Sequence, residues 1–206
     1  ATVNGLGNLT VGYNELRGAA DDRTGSHNLV VGSENNYKSY GGLLGGFRNE
    51  VSAPWSSVSG GWANTASGNY SSVSGGSYNT SSGNYSSVSG GLENKAIGKN
   101  SSVSGGWENE AIGFKSWVSG GHSNTANTLN SSVSGGASNT ASGTNSSVSG
   151  GINNTAIGNY SSVSGGASNY ASGTWSSVSG GKDNEASGLR SSVSGGGYNN
   201  AFGNYS

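Results

Sequence analysis

Few side chains in this 206-residue chain have the chemistry of an active site, and their spacing does not assemble one. The two histidines, His27 and His122, stand at the start of one repeat and at a variable corner of another, with no ligand partners in register. Cysteine is absent, which removes disulfides and thiolate metal sites. Glu108 and Glu110 straddle Asn109 at outward positions. Two carboxylates alone do not make a glycosidase, and they read as solvated charge. Runs such as Val73-Ser74-Gly75-Gly76 lack the helix and the Lys-Ser/Thr that a phosphate loop requires. Aspartate is too scarce for a calcium roll built on Gly-Gly-x-Gly-x-Asp. No catalytic residue, cofactor or metal ligand is predicted, and no enzymatic activity.

What the sequence does contain is order. From Ser56 onward, ten segments repeat Ser-Ser-Val-Ser-Gly-Gly-x-x-Asn-x-Ala-x-Gly-x-x at an unbroken 15-residue period. A chain with 40 glycines and one proline reads by composition as disordered, but a disordered linker needs no valine every 15 residues. A period this short and strict predicts an all-β solenoid of about thirteen coils, one repeat per coil. Net charge is −1 and charged residues are 9% of the chain, so no footprint for nucleic acid or an anionic membrane exists. No stretch has the length and apolarity of a transmembrane helix, and no membrane insertion is expected. Zero cysteine suits an extracellular or cell-surface protein. Ala1 reads as a processed or truncated start. Ser206 is the first position of a further repeat, so the array is expected to continue.

Numbering each repeat from the serine at 56, 71, 86 and onward, position 3 is Val, position 5 is Gly and position 9 is Asn in every repeat. Position 11 is Ala except at Ser81, and position 13 is Gly except at Thr128. Shared parity among 3 and 5, and among 9, 11 and 13, predicts two short strands that turn those positions inward. The expected structural ladders are Val58, Val73, Val88, Val103 and Val118, and Asn64, Asn79, Asn94, Asn109 and Asn124. The asparagines would bond from coil to coil and to corner backbone groups. Upstream, residues 41–55 read as a further coil with Leu43, Gly45, Asn49 and Val51 inside. Residues 27–40 read as a shorter coil with Leu29, Val31, Asn35 and Tyr37 inside. Residues 8–26 read as a first coil with Leu9, Val11 and Asn14 and an inserted loop carrying Asp21, Asp22 and Arg23. The organisation is thus 1–26 as cap or junction, 27–55 as variant coils and 56–206 as regular repeats.

One Val and one Ala per coil form a slim interior, which directs attention to the outside. Positions 2 and 4 point outward yet are serine throughout the ten repeats, apart from Trp117. Ser57, Ser59, Ser72, Ser74, Ser87, Ser89, Ser102 and Ser104 therefore mark an expected self-association face. Aromatic residues recur at position 15, including Tyr70, Tyr85, Tyr160, Trp175 and Tyr205. They form either a stack between coils or an exposed stripe for glycans. Ten Asn-x-Ser/Thr sequons, among them Asn69, Asn84, Asn100, Asn130, Asn145 and Asn159, lie mostly on the same corner.

The skeleton Ser-Val-x-x-Gly-x-x-x-x-Ala-x-Gly resembles the head repeats of trimeric autotransporter adhesins (YadA-like heads), and Asn28-Leu29-Val30-Val31-Gly32 is close to that form. The resemblance implies a left-handed β-roll whose copies pack as trimers through the first strand. This chain departs from it by one extra residue per repeat, with Ser for the interface Ala, Gly for Ile and Asn for the first inward Ala. The pairs Ser56-Ser57-Val58-Ser59-Gly60 and Asn64-Thr65-Ala66-Ser67-Gly68 also resemble the ryegrass ice-recrystallisation-inhibition roll. Ice binding favours a flat row rich in Thr, and the position-10 row is broken by Lys95, Glu110, Tyr170 and Glu185. The expected function is an extracellular structural or adhesive solenoid, a homotrimer or filament whose partners are itself and glycans or other surfaces. Ice binding and a phage tail-fibre role are the alternatives.

Overall fold

The computed structural model describes residues 3–206, so Ala1 and Thr2 of the expected cap, with the reading of Ala1 as a start, lie outside the described residues. The chain is an all-β solenoid of parallel ladders, with Gly18–Ala20 a short 3-10 turn. Two compact units, one ending at Asn100 and one spanning Ser101–Ser206, are each built the same way.

Each regular coil contributes two strands of two residues. The first covers positions 2 and 3, as in Ser57–Val58, Ser72–Val73 and Ser87–Val88. The second covers positions 10 and 11, as in Thr65–Ala66 and Thr80–Ser81. Registers are in step, with Ser57 on Ser72, Val58 on Val73 and Thr65 on Thr80. The second unit repeats this from Ser102–Val103 to Ser192–Val193 and from Glu110–Ala111 to Asn200–Ala201. A third contact row runs along position 7, where Trp62 bridges Ser77 and His122 bridges Ala137. In-register stacking places like residues about 4.8 Å apart, which brings strand amides opposite carbonyls on the neighbouring coil. Ser57 N–H donates to the Ser71 carbonyl at 2.9 Å, and Thr65 N–H donates to Asn79 at 2.8 Å.

The interior is made of small side chains. Val58, Ala66 and Asn64 are 0% exposed, and their equivalents follow in both units. Position 13 is a buried glycine for a steric reason: a Cβ on Gly68 would lie 2.1 Å from the Gly83 carbonyl oxygen. The paired glycines at 5 and 6 differ. Gly61 has φ +87° and its Cβ would meet the Gly76 oxygen at 2.2 Å, so position 6 tolerates no side chain. Position 5 is not inward as parity predicts. Gly60 and Gly75 are half-buried and a Cβ there would meet nothing within 4 Å. The buried partner of Val is instead the position-1 serine, with Ser56 at 0% and Ser71 at 1% exposure. The strand is only two residues long, so alternation ends at the corner before position 5.

Upstream, the parity of the first strand is shifted by one. Val30 and Leu44 are buried at 3% and 0%, while Leu29, Val31 and Leu43 are 40–42% exposed. Leu44 pairs with Val58 and Val51 with Ala66, so one residue fewer separates Leu44 from Val51 than Val58 from Ala66. Counting back 15 residues across that shortened corner turns the wrong side chains inward. Second-strand expectations are met, with Asn35, Tyr37, Asn49 and Val51 buried.

Residues 8–26 do not close a regular coil. Leu9–Val11 pairs with Leu29–Val31, but Leu9 and Val11 are 62% and 52% exposed and Asn14 is exposed. The following segment covers the free edge of Asn36–Tyr37 instead. Tyr37 N–H donates to the Asp22 carbonyl at 3.0 Å, and Gly25 N–H donates to Tyr37 at 2.8 Å. Asn36 Nδ2 donates to Ala20 at 2.8 Å. An open parallel edge is thereby paired rather than left as a template.

Candidate interaction surfaces

The asparagine row is a backbone clamp. Asn139 Nδ2 donates to the Gly135 carbonyl of its own coil and the Gly151 carbonyl of the next, both at 2.9 Å. Its Oδ1 accepts from Asn154 N–H at 2.9 Å. Asn64 and Asn79 do the same in the first unit, and Asn124 in the second. Asn94 donates to Gly90, and Asn109 donates to Gly105 and Gly121. The position-6 carbonyl already accepts a backbone N–H, as Gly151 does from Ala137 at 2.9 Å, whereas the position-5 carbonyl has no backbone donor among the described residues. The side-chain amide adds a second bond to the first and supplies the missing one to the second. Val58, Val73, Val88, Val103 and Val118 are 0–1% exposed.

Position-1 serines add a second polar row that strand parity alone did not single out. Ser86 and Ser116 hydroxyls donate to the position-13 carbonyls of Gly83 and Gly113 at 2.6 and 2.8 Å. Where Ser81 replaces the usual alanine, its buried hydroxyl lies 2.7 Å from Ser86 Oγ, so the exceptional side chain is paired. Ser101, Ser146, Ser161 and Ser176 Oγ have no partner among the described residues.

Outside, Ser57, Ser72, Ser87 and Ser102 are half-buried, and Ser59, Ser74, Ser89 and Ser104 are exposed. With the position-5 glycines they form a low face repeated within each unit. Trp117, 49% exposed, is the protrusion in it. Crowding explains the glycine at position 6 and, outside Thr128, at position 13. At position 5 the space for a Cβ is open, as at Gly90 and Gly135, but the backbone favours glycine in seven of the ten coils, with φ from 147° at Gly195 to 159° at Gly135; Gly60, Gly75 and Gly150 lie outside that range.

The position-15 aromatics are stacked on one another. Trp55, Tyr70 and Tyr85 form a column with centroids 5.0 Å apart and planes 11° and 3° from parallel. Tyr160 and Trp175 stack at 4.0 Å, and Arg190 lies 5.4 Å from the Tyr205 ring. Each residue sits in the left-handed region, φ 53–62°, where a non-glycine side chain costs about 1–2 kcal/mol. Mutual stacking, about 0.5–1.5 kcal/mol per pair, offsets that cost. It also covers ring faces that a sugar would need. His122 stacks on Trp107 at 4.5 Å with Glu108 3.6 Å from its Nε2, an arrangement of corner side chains.

A concavity lies in the first unit that the repeat pattern did not reveal. It has a volume of about 310 Å³ and is lined by Arg17, Ala20, Arg48, Trp62, Ala63 and Tyr78. Two departures from regularity create it. The inserted loop brings Arg17 and Ala20 over the position-8 row, and Ala63 is the smallest residue in that row, which elsewhere holds Tyr78, Glu93 and Glu108. Arg48 Nε donates to Glu34 at 2.5 Å, and Arg17 Nη1 lies 3.6 Å from Glu50. The legible signals were the insertion and the lone alanine.

Comparison of the chain with protein-family models and with curated proteins finds no match. No helix among the described residues is long and apolar enough to cross a membrane.

Proposed function

We propose that the chain is an extracellular structural or adhesive solenoid that self-associates through the serine face, as a trimer or within a fibre. The observation that carries this reading is the outer row at positions 2 and 4. Both are serine in every regular coil apart from Trp117, although these side chains are half-buried or exposed and take no part in the interior. A surface kept small and level outside the interior suits close approach by another backbone. The opposite corners, by contrast, vary freely. The resemblance to trimeric adhesin heads supports the same strand as the contact.

Sedimentation equilibrium tests it. The natural chain is expected to sediment as an oligomer. Ser74→Lys with Ser89→Lys, which sets two cations side by side on that face, is expected to release monomers that keep their β-sheet circular dichroism. A natural chain that stays monomeric at high concentration refutes self-association. If that monomer also arrests ice recrystallisation, the serine rows serve an ice lattice instead.

A further inference from the structure

We propose that the cleft beside the inserted loop binds a single acidic sugar residue, a hexuronate, with its ring against Trp62 and Tyr78 and its carboxylate on Arg48 and Arg17. A volume of about 310 Å³ falls at the small end of ligand sites, about 300–1,000 Å³, which suits one ring rather than a polymer. The lining carries two guanidiniums and no carboxylate. Glu34 and Glu50 hold those guanidiniums and do not line the cleft; Glu50 Oε1 is also occupied by Lys38 Nζ at 2.8 Å. Arg48 uses Nε for Glu34, so both of its terminal nitrogens stay without a hydrogen-bond partner among the described residues. A planar carboxylate is the acceptor that fits such a fork.

The aromatic pair distinguishes an acidic sugar from a simple anion. Trp62 and Tyr78 meet edge-on, centroids 4.8 Å apart and planes at 60°. An edge-on contact covers at most one of the four ring faces, unlike the parallel column of Trp55, Tyr70 and Tyr85. Both rings are exposed, at 43% and 45%. An apolar pyranose face packs on an open ring while its carboxylate reaches the guanidinium. The site stands on its own geometry, so a monomeric protein could bind and an oligomer could fail to. Its failure and that of the self-association reading are therefore separable.

The test is an NMR titration of the full chain with methyl glucuronide, methyl glucoside and inorganic phosphate, following the indole N–H assigned through Trp62→Phe. Methyl glucuronide is expected to move the Trp62 signal saturably with millimolar affinity. The glucoside should bind at least about tenfold more weakly, the loss of one charge-assisted contact. Arg48→Gln should weaken the glucuronide by a similar factor, while Arg190→Gln leaves it unchanged. Ala63→Tyr fills the cleft with the residue that the same corner accepts at Tyr78 and Tyr198, and should abolish the response. A Trp62 signal unmoved by glucuronide overturns the proposal. So does an equal response to glucoside or phosphate, or an Ala63→Tyr protein that folds and binds like the parent. Arg48→Gln, at an exposed side chain, keeps the test decisive if Ala63→Tyr misfolds.

Discussion

Replacing Asn139 by alanine tests whether the asparagine row closes the corners. The change removes three hydrogen bonds: two donated to the Gly135 and Gly151 carbonyls and one accepted from Asn154 N–H. Gly151 keeps its bond from Ala137 N–H and water reaches the part-buried Gly135 carbonyl, so each lost bond counts for about 1 kcal/mol net. The Asn154 amide is buried, and leaving it unpaired costs about 2 kcal/mol. The sum is about 4 kcal/mol, concentrated on two neighbouring coils because contacts in a solenoid reach only adjacent repeats. Native-state hydrogen exchange reads this locally and does not require two-state unfolding. At about 1.4 kcal/mol per tenfold, the Asn154 amide should exchange several hundredfold faster, with amides near Ser192 unchanged. Asn139→Asp keeps the acceptor but cannot donate, and it turns a buried carboxylate toward two carbonyl oxygens. It should be at least as damaging as alanine. An exchange increase below about tenfold for the alanine variant, or a milder effect for aspartate, would refute the clamp.

Three further outcomes follow from the geometry. Gly151→Ala puts a Cβ 2.2 Å from the Gly166 oxygen at φ +87°, whereas at the adjacent Gly150 the space is open. Thermal unfolding should fall steeply for Gly151→Ala, by more than 3 kcal/mol equivalent, and change by under about 1 kcal/mol for Gly150→Ala. Ser86→Ala should cost about 1–2 kcal/mol more when Ser81 is present than in a Ser81→Ala background, since Ser81 Oγ loses its 2.7 Å partner, and a double-mutant cycle by denaturation measures that coupling. Tyr70→Asn removes the middle ring of the stacked column but suits φ +57°, so the two effects oppose and stability should shift by about 1 kcal/mol or less; a large loss would show that stacking dominates.

The fold was legible because the 15-residue period is strict, and the second strand was read correctly as far upstream as Asn35 and Tyr37. Two failures have one origin. Parity holds only within a strand, and each first strand from Ser57–Val58 onward is two residues long. Position 5 lies past the corner, so its glycine does not share the orientation of Val at position 3. The same corner is one residue shorter in the coils before Ser56, which turned Leu44 and Val30 inward in place of Leu43 and Leu29. Period counting detects neither, because the period reports coil length and not where within the coil a residue was lost. The position-1 serines were missed for a related reason: a hydroxyl is not read as interior until its acceptor, the position-13 carbonyl three residues upstream, is seen. The cleft was hidden because it arises from what breaks the repeat.

The regular part also separates two kinds of constraint. Positions 3, 6, 9, 11 and 13 are fixed by neighbours inside the chain: a filled interior, a carbonyl 2.2 Å away, a clamped corner. Positions 2 and 4 are nearly as uniform but face outward, and on the proposed reading their constraint is a contact beyond the coil. Trp117 bears on what that constraint is. It pairs in register with Ser102 on one side and Ser132 on the other, and its indole stands 49% exposed from an otherwise level row. A rigid lattice of ice cannot yield to an indole in the middle of the hydroxyl array. A second polypeptide can, by placing a hollow opposite it, and a buried tryptophan is among the strongest anchors a protein contact can have. On the proposed reading the level row and its single protrusion favour a shaped partner over a flat one, and a copy of the same chain supplies small residues in every register but that of its own Trp117 to receive the ring.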